Sequence, residues 1–287
     1  LYMYLDLGSL PLANRFVRTR GEEEPRYPLE ALYCEDCGLS QLSLAINPQV
    51  LFSYYPYRSS VSGTFREHCA QMALEARAQF GPAFGKRLAV DIASNDGCLL
   101  AEFSKAGFGV LGVDPAKNLA EIANNRGIPT ICAFWGKEAA DEIISRGGAD
   151  VITATNVFAH VHDVNGFAGQ AGRALKDDGI IMFEFHYAWE LIKNNAFDTI
   201  YHEHHSYFLL RPVMRLFEKN GLRIFDARVF PVHGGALRVY AVLDTNKAVK
   251  TRPSVQEMLN FEDENGLYNK KTYREFAGKV EKIRKDM

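Results

Sequence analysis

Between residues 87 and 187, short apolar runs alternate with amphipathic segments. Each apolar run is nearly continuous, which is typical of a strand buried on both faces, and the segments between them have helical periodicity. The predicted strands are 87–93, 108–114, 129–135, 149–156 and 180–187. The predicted helices are 99–106, 118–126, 137–146 and 167–175. Strands alternating with helices predict right-handed crossovers and a parallel sheet covered by helices on both sides.

Two further strands, 222–230 and 236–243, are joined by only the five residues 231–235. This link is too short for a crossover, so the two strands must be antiparallel. We therefore predict an α/β fold whose seven-stranded, mostly parallel sheet contains one antiparallel strand. This Rossmann-like arrangement is typical of class I methyltransferases, which use S-adenosylmethionine. Helices are also predicted at 64–80 and in the charged tail, 254–287.

Composition and charge narrow the function classes. The chain has 287 residues, of which 47% are hydrophobic and 24% are charged, which excludes a disordered or fibrous protein. The net charge of −2 favours neither nucleic acid nor an anionic membrane as a partner. No apolar stretch approaches the roughly 18 residues of a membrane span, and no signal peptide is recognisable. Five cysteines, an odd number, do not indicate a disulfide framework. Together with the missing signal peptide, they predict a cytoplasmic protein. The sequence leaves the oligomeric state open.

Residues 1–58 carry five prolines, many aromatic side chains and little helical periodicity, so we predict a small irregular domain. Its chemical feature is Cys34-Glu35-Asp36-Cys37-Gly38, because two thiols at this spacing can bind one zinc ion. A zinc site is favoured over two free thiols, but zinc needs four ligands. The prediction therefore requires a second pair of cysteines upstream of Leu1. A redox pair is less favoured because no strand and helix frame the motif.

Ligands of open α/β sheets bind outside the carboxyl ends of the strands, which makes the residues after each predicted strand the candidate site. The first strand ends in residues 91–97, DIASNDG, which lacks the Gly-x-Gly-x-x-Gly pattern of a pyrophosphate site. Asp91 could accept a hydrogen bond from a positively charged amino acid group, and small residues here would let a ligand approach the backbone. We predict Asp91, Asn95 and Gly97 as cofactor-binding residues.

The next three strand ends add candidates for a nucleoside. Asp114 could accept hydrogen bonds from both ribose hydroxyls of an adenosine, although an acid there also suits NAD. Two aromatic side chains at the last positions of the third strand could flank the adenine, and the fourth strand end could line a methionine chain. Singly, each residue could be a helix cap or a core side chain, but together they favour S-adenosylmethionine over NAD. These predicted cofactor-binding residues are Asp114, Pro115, Phe134, Trp135, Asn156 and Val157.

A histidine-rich segment, FDTIYHEHHSYFLL at 197–210, follows the fifth strand and should arch over the same edge of the sheet. His160 and His186, at the ends of the fourth and fifth strands, should lie nearby. The segment permits three interpretations: structural histidines, a metal site, or acid/base chemistry, because a histidine beside a carboxylate or phenol can act as a base near neutral pH.

Spacing bears on these alternatives. In an extended segment, His202 and His204 share one face and Glu203 points away, which makes a compact metal site with His205 awkward. We therefore rank acid/base chemistry first, a structural role second and a metal site third.

The chain resembles the sugar C-methyltransferases that act on nucleotide-linked ketosugars in deoxysugar pathways. The matching stretches are LDLGSLPLANRF (5–16), YPLEALYCEDCGLSQL (27–42), YPYRSSVSGTFREH (55–68), SNDGCLL (94–100), GVDPAKNLAEIA (112–123), NVFAHVHD (156–163), IYHEHHSYF (200–208) and PVHGGALRVY (231–240). The resemblance implies a partial N-terminal zinc-binding domain (1–58), a helical linker (59–85), an S-adenosylmethionine-dependent methyltransferase domain (86–245) and the start of a truncated C-terminal domain (246–287).

The resemblance also implies residue roles. Cys34 and Cys37 would be half of a four-cysteine structural zinc site. His204 would be the base, assisted by Tyr201 or Glu203, with His160 nearby. The segment around Tyr55 and Tyr57 would reach the sugar from the N-terminal domain. We also predict His186 and Tyr187, at the end of the fifth strand, and His233 as substrate-binding residues.

The predicted reaction is C-methylation of a nucleotide-linked ketosugar at the carbon next to its ketone. A base removes a proton to give an enolate, which takes the methyl group in line. The alternatives are an NAD-dependent nucleotide-sugar oxidoreductase or epimerase, which would require the missing glycine pattern, and a non-catalytic zinc-linked binding module on a methyltransferase fold.

Overall fold

The computed structural model describes residues 1–17, 19–81 and 85–286. The strands are β1 (Tyr2–Pro11), β2 (Arg26–Tyr33), β3 (Ser40–Leu42), β4 (Leu88–Ile92), β5 (Gly109–Val113), β6 (Thr130–Ile131), β7 (Ala149–Thr155), β8 (Leu175–His186), β9 (Ser206–Tyr207), β10 (Leu222–Phe230) and β11 (Ala236–Leu243). The helices are α1 (Pro48–Phe52), α2 (Gly63–Gln79), α3 (Cys98–Lys105), α4 (Lys117–Asn125), α5 (Lys137–Ser145), α6 (Val164–Ala174), α7 (Ala188–Lys193), α8 (Leu210–Lys219), α9 (Pro253–Glu264) and α10 (Lys270–Asp286). Within these residues, no helix combines the length and apolar character that crossing a bilayer requires.

The central sheet has seven strands in the lateral order β10-β11-β8-β7-β4-β5-β6. Strands β4 to β8 pair in parallel, whereas β11 runs antiparallel to both of its neighbours. The predicted class I methyltransferase fold is therefore confirmed. The chain order reverses between β4 and β7, which is where open α/β sheets bind their ligands.

Both faces of this sheet are covered, as the continuous apolar runs predict. On β7, the consecutive residues Val151 and Ile152 are fully buried but belong to different core clusters on opposite faces. Neighbouring side chains of a strand point to opposite faces, so an apolar residue at every position means a covering layer on each side.

Residues 1–58 are more regular than the sequence indicates. Strands β1, β2 and β3 form an antiparallel sheet, and β9, from the histidine-rich segment, adds a fourth strand through the pairs Ser40↔Tyr207 and Gln41↔Ser206. Tyr33 of β2 stacks on Tyr273 of α10 with ring centroids 4.2 Å apart. Contacts this distant in sequence stabilise the strands, which explains why local periodicity did not reveal them.

The third strand of the central sheet is shorter than predicted. Instead of spanning 129–135, β6 contains only Thr130 and Ile131. The chain then turns, because the Ala133 N–H donates to the carbonyl oxygens of Asp114 and Ile131. As a result, Phe134 and Trp135 lie beyond the strand rather than at its last positions.

Candidate active site

A cavity of about 950 Å³ lies at the carboxyl ends of the parallel strands. Its lining includes Ala93 after β4, Asp114 after β5, Asn156 after β7 and His186 at the end of β8. Most of the predicted strand-end residues are therefore brought together in one space, at the position where the fold class binds ligands.

Backbone strain is concentrated at this cavity. Six described residues other than glycine have a positive φ, and five of them line the cavity: Asn14, Ala93, Asn95, Asn156 and His233. The sixth, Asn195, does not. Left-handed backbone costs a non-glycine residue free energy and tends to persist at functional sites, so this distribution marks the cavity as functional.

Asp114 presents a carboxylate whose position is fixed by the backbone. Its Oδ1 accepts from the Ala116 N–H and its Oδ2 from the Asn95 N–H, each at 2.8 Å. Burial raises the pKa of Asp114 to about 6, although these two hydrogen bonds oppose the rise. Each oxygen keeps a lone pair, so the carboxylate can also accept from two neighbouring hydroxyls of a ligand beside Pro115.

Aromatic and small apolar groups extend the wall next to Asp114. Phe134 lines the cavity with 40% of its surface exposed, while the Trp135 indole N–H donates to the Phe167 carbonyl oxygen at 3.0 Å. Asn156 and Val157 line the cavity as well. This wall can receive a flat ring.

Two of the predicted cofactor-binding residues lie outside the lining. Asp91 is buried beneath it and accepts from the Thr153 hydroxyl at 2.6 Å, and burial raises the pKa of Asp91 to about 7. Gly97 has a φ of +79°, and a Cβ there would lie 3.1 Å from Ile128. Gly97 is therefore a position where the backbone packs closely against Ile128.

Asn95 lines the cavity, but its side chain holds another segment. Its Oδ1 accepts from the Ser59 N–H at 3.0 Å, and its Nδ2 donates to the Tyr57 carbonyl oxygen at 3.2 Å. Asn118 makes a similar pair of hydrogen bonds with the backbone of Tyr55. These amides hold Tyr55 and Tyr57 at the cavity, where the sequence places substrate contacts.

The imidazole of His204 is held in one orientation by contacts at both of its nitrogens. Its Nδ1 lies 2.9 Å from the Thr199 carbonyl oxygen, so this nitrogen carries the proton, and its Nε2 accepts from the Tyr201 hydroxyl at 3.0 Å. Burial lowers the pKa of His204 to about 4, which keeps the ring neutral at neutral pH. Burial raises the pKa of Tyr201, so the phenol keeps its proton.

His160 lies beside this pair with an unused nitrogen. Its ring centroid is 5.0 Å from that of His204, and its Nδ1 is buried without a hydrogen-bond partner. Burial lowers the pKa of His160 to about 3. The Thr155 hydroxyl is similarly buried and unpartnered, and both residues line the cavity. Unpaired buried polar atoms are costly, so they indicate positions that a bound ligand would satisfy.

Glu203 does not contact His204 through its carboxylate. The side chain is 2% exposed, and its two oxygens accept from Asn14 Nδ2 at 2.8 Å and from the Tyr55 hydroxyl at 3.1 Å. Residues 201–204 form a turn, in which the His204 N–H donates to the Tyr201 carbonyl oxygen at 2.9 Å. The local backbone is thus neither the extended segment nor the helix considered from the sequence.

The other histidines named in the sequence analysis divide into two groups. His186 and His233 line the cavity, and burial lowers the pKa of each. His202 and His205 lie outside the lining, where His202 Nε2 donates to the Tyr27 carbonyl oxygen at 3.2 Å.

Tyr187 also lies outside the lining. Its hydroxyl donates to the buried Glu262 carboxylate of α9 at 3.0 Å, which makes it part of the packing against the C-terminal helices.

The two cysteines of the predicted zinc site lie in the turn after β2. The Gly38 N–H donates to the Cys34 carbonyl oxygen at 2.9 Å, and both Cys34 and Cys37 are free and partly buried. A thiol pair in one turn fits half of a tetrahedral zinc site. Across residues 1–17, 19–81 and 85–286, no three His, Cys, Asp or Glu side chains are grouped to hold a metal, and this also applies to the histidine-rich segment.

Comparison with protein families identifies the chain. Residues 65–227 match a family described as a methyltransferase domain, which covers more than half of the chain. Residues 1–52 match a "Putative zinc binding domain" and residues 231–287 a "C-methyltransferase C-terminal domain". The chain belongs to the C-methyltransferase family. The methyltransferase is therefore an enzyme of the S-adenosylmethionine-dependent class, as its fold and motifs predict.

One relative supports this assignment over nearly the whole chain, and two further matches are narrower. The methyltransferase is 38% identical to C-methyltransferase NovU of Streptomyces niveus over 98% of its own length and 67% of the relative's length. It is 30% identical to a ubiquinone biosynthesis O-methyltransferase of Rhodopseudomonas palustris over 32% of its own length and 37% of that protein. Among solved structures, the chain superposes on the "Complex between the Haloferax volcanii Trm112 methyltransferase activator and the putative methyltransferase" with a TM-score of 0.50. The sequence identity is 14%, and the superposition covers 64% of this chain and 93% of that one. This match shows similarity of fold alone.

Some residues at the site were not predicted. Asn118 holds Tyr55 from the first turn of α4, and it is not among the residues that the sequence analysis names. No sequence pattern indicates the Thr199 carbonyl oxygen, which fixes the tautomer of His204.

Proposed function

We propose that this methyltransferase transfers a methyl group from S-adenosylmethionine to the carbon next to the ketone of a nucleotide-linked ketosugar. One observation chiefly supports this proposal: the same cavity contains the Asp114 carboxylate at one wall and the Tyr201–His204 pair at another. The methyl donor and the ketosugar that accepts the methyl group can therefore bind side by side in one cavity.

The donor would be held by residues at the strand ends. We assign Asp114 to the two ribose hydroxyls, and Phe134 and Trp135 to the faces of the adenine. Asn156 and Val157 would line the methionine part. When bound, the donor supplies a methyl group on a positively charged sulfur. The buried Asp91 contributes negative charge below this region in its ionised form, and the small residues around Gly97 allow the backbone to approach closely.

Acceptor chemistry is assigned to the histidine-rich segment. A proton next to a ketone has a pKa far above neutral, so its removal needs a base within about 3 Å and a donor for the developing enolate oxygen. His204 is the base, because its Nδ1 is committed to the Thr199 carbonyl oxygen, which leaves Nε2 to take the proton once the Tyr201 hydroxyl that now donates to it turns toward the acceptor. Tyr201, kept as a phenol by burial, is the donor for the enolate oxygen when the acceptor is present. His160 offers a second contact through its unpartnered Nδ1.

The outer residues would shape the acceptor site. We assign Tyr55, Tyr57, His186 and His233 to contacts with the sugar, since all four line the cavity. Tyr187 would affect the acceptor site only indirectly, because its hydroxyl donates a hydrogen bond to Glu262. These residues belong to the N-terminal segment and to the end of the sheet.

A structural zinc ion is proposed for the N-terminal domain. Cys34 and Cys37 would provide two thiolate ligands, and the matched zinc-binding family over residues 1–52 supports this assignment. We also propose the division into residues 1–58, 59–85, 86–245 and 246–287, which places the catalytic groups in the third part and the zinc ligands in the first.

Two experiments test the function. S-adenosylhomocysteine titrated by calorimetry should bind tightly, which neither an NAD-dependent enzyme nor a simple binding module predicts. Incubation with S-adenosylmethionine and a panel of nucleotide ketosugars, followed by mass spectrometry, should reveal a gain of one methyl group that resists mild acid and base, with loss of the proton next to the ketone.

Substitution of the base gives the sharper test. His204→Ala should lower turnover by about 10²- to 10⁴-fold while donor binding is kept. His205→Ala, which removes the neighbouring imidazole outside the cavity, is the matched control and should retain turnover. Full activity of the His204→Ala variant would disprove the assignment of the base.

A further inference from the structure

Asn14 reaches the cavity from the N-terminal sheet. It follows β1, lines the cavity and has a φ of +61°. Asparagine tolerates left-handed backbone better than most residues, because its short polar side chain can hydrogen-bond locally. Here the side chain bonds instead to a residue 189 positions away. A strained backbone that serves a distant contact indicates a functional role.

The partner of Asn14 is the buried carboxylate of Glu203. Asn14 Nδ2 donates to Glu203 Oε1 at 2.8 Å, and the Tyr55 hydroxyl donates to Glu203 Oε2 at 3.1 Å. An ionised carboxylate only accepts hydrogen bonds, so the nitrogen of the Asn14 amide must face it. The amide oxygen then points away from Glu203, and Asn14 Oδ1 accepts no hydrogen bond from the described residues.

Asn14 can therefore offer the cavity an amide oxygen of fixed orientation. This group accepts a hydrogen bond from a hydroxyl, and the second N–H of the amide can donate one. Sugars present hydroxyls that do both. Glu203 is 2% exposed and lies outside the lining, so its burial prevents it from making such contacts itself.

We propose that Asn14 binds a hydroxyl of the acceptor directly, and that Glu203 is a positioning residue that fixes the orientation of the Asn14 amide. This inference rests on the proposed function, because it takes the acceptor to be a sugar. It assigns an acceptor contact to the N-terminal sheet and gives Glu203 a role other than orienting His204.

The test combines acceptor affinity with stability. Nucleotide ketosugars are titrated by calorimetry in the presence of S-adenosylhomocysteine, and unfolding midpoints in urea are measured for the same proteins. Asn14→Asp keeps the shape and backbone preference but puts a second carboxylate beside Glu203. It should weaken acceptor binding by about tenfold, because a carboxylate lacks the second amide N–H that donates to a sugar hydroxyl, and it should leave the affinity for S-adenosylhomocysteine unchanged. Asn195→Asp, at the left-handed asparagine outside the cavity, is the matched control and should bind the acceptor normally.

A double variant that exchanges the amide and the carboxylate, called the exchanged pair, distinguishes a lost contact with the substrate from a loss of stability. Asn14→Asp combined with Glu203→Gln again provides one carboxylate and one amide, so the urea midpoint should recover. Acceptor affinity should stay low, because the group presented to the cavity is changed.

Three results would overturn the inference. The first is that Asn14→Asp binds the acceptor with an affinity within twofold of the unsubstituted protein. The second is that the double variant recovers both the urea midpoint and the affinity for the acceptor. The third is that the unsubstituted protein binds no nucleotide ketosugar. Only the third result would also count against the proposed function.

Discussion

The burial of His204 should set the pH dependence of the reaction, and the hydrogen bond from the Tyr201 hydroxyl should adjust it. Burial lowers the pKa of His204 to about 4 from the ordinary histidine value of about 6.5. A base must be unprotonated, so kcat/KM for the acceptor, measured at saturating donor, should stay level from pH 7 down to about 5 and fall tenfold per unit only below about 4. At pH 5.5 an unshifted histidine would be only about one-tenth neutral, whereas His204 would be almost entirely neutral.

The perturbation is Tyr201→Phe, which keeps the ring and removes the donor. The hydroxyl stabilises the neutral form of His204 by occupying the Nε2 lone pair. Without it the lone pair accepts a proton more readily, so the pKa of His204 should rise. A neutral hydrogen bond contributes about 1 kcal/mol and one pKa unit corresponds to about 1.4 kcal/mol, so the rise should be about 0.7 unit.

The assay follows formation of S-adenosylhomocysteine by mass spectrometry between pH 4 and 8, with circular dichroism at each pH to verify that the protein stays folded. Asp114→Asn, measured at saturating donor, is the control, because it removes a cavity carboxyl whose pKa is about 6. An acid limb with a midpoint of 6 or above in the unsubstituted protein would refute the proposed environment of His204. A limb that stays in place or moves to lower pH in Tyr201→Phe would refute the role of the hydroxyl.

Three further predictions concern other residues. Asp114→Asn should weaken S-adenosylmethionine binding by at least about tenfold, or about 1.4 kcal/mol by calorimetry, and an unchanged dissociation constant would remove Asp114 from the ribose role. Glu184→Gln should lower the free energy of unfolding by about 3 kcal/mol in urea titrations, because it breaks a fully buried ion pair with Arg238 at 2.7 Å, and adding Arg238→Met should recover much of the loss. Gly97→Ala should lower the same free energy by about 1–2 kcal/mol, because φ is +79° and the new Cβ would press on Ile128 at 3.1 Å; a stability equal to that of the unsubstituted protein would contradict the packing argument.

The buried ion pair in the second of these predictions lies close to the catalytic edge of the sheet. Burial alone would raise the pKa of Glu184, but the hydrogen bond from His68 and the charge of Arg238 outweigh this effect and hold it below its ordinary value. His68 belongs to α2, Glu184 to β8 and Arg238 to β11. The network thus connects the helix before the sheet to the hairpin that carries His233.

The sequence alone determined the central sheet and the region of the site. The apolar runs are continuous because each strand is covered on both faces, and that property is visible residue by residue. The five-residue link between β10 and β11 forces an antiparallel pair on length alone. Since parallel strands end at one edge, Asp114, Asn156 and His186 were bound to lie near one another wherever the helices packed.

Only the tertiary structure decided which groups face each other across the site. The sequence gives no sign that Asn14 reaches Glu203, that the Thr199 carbonyl oxygen fixes the proton on His204, or that Asp91 lies under the cavity instead of lining it. Such contacts depend on how β9 pairs with β3 and how α10 packs on β1. A hydrogen bond requires its two atoms to lie within about 3 Å, and the packing of distant segments sets that distance, whereas local periodicity reports only which face of each segment is buried.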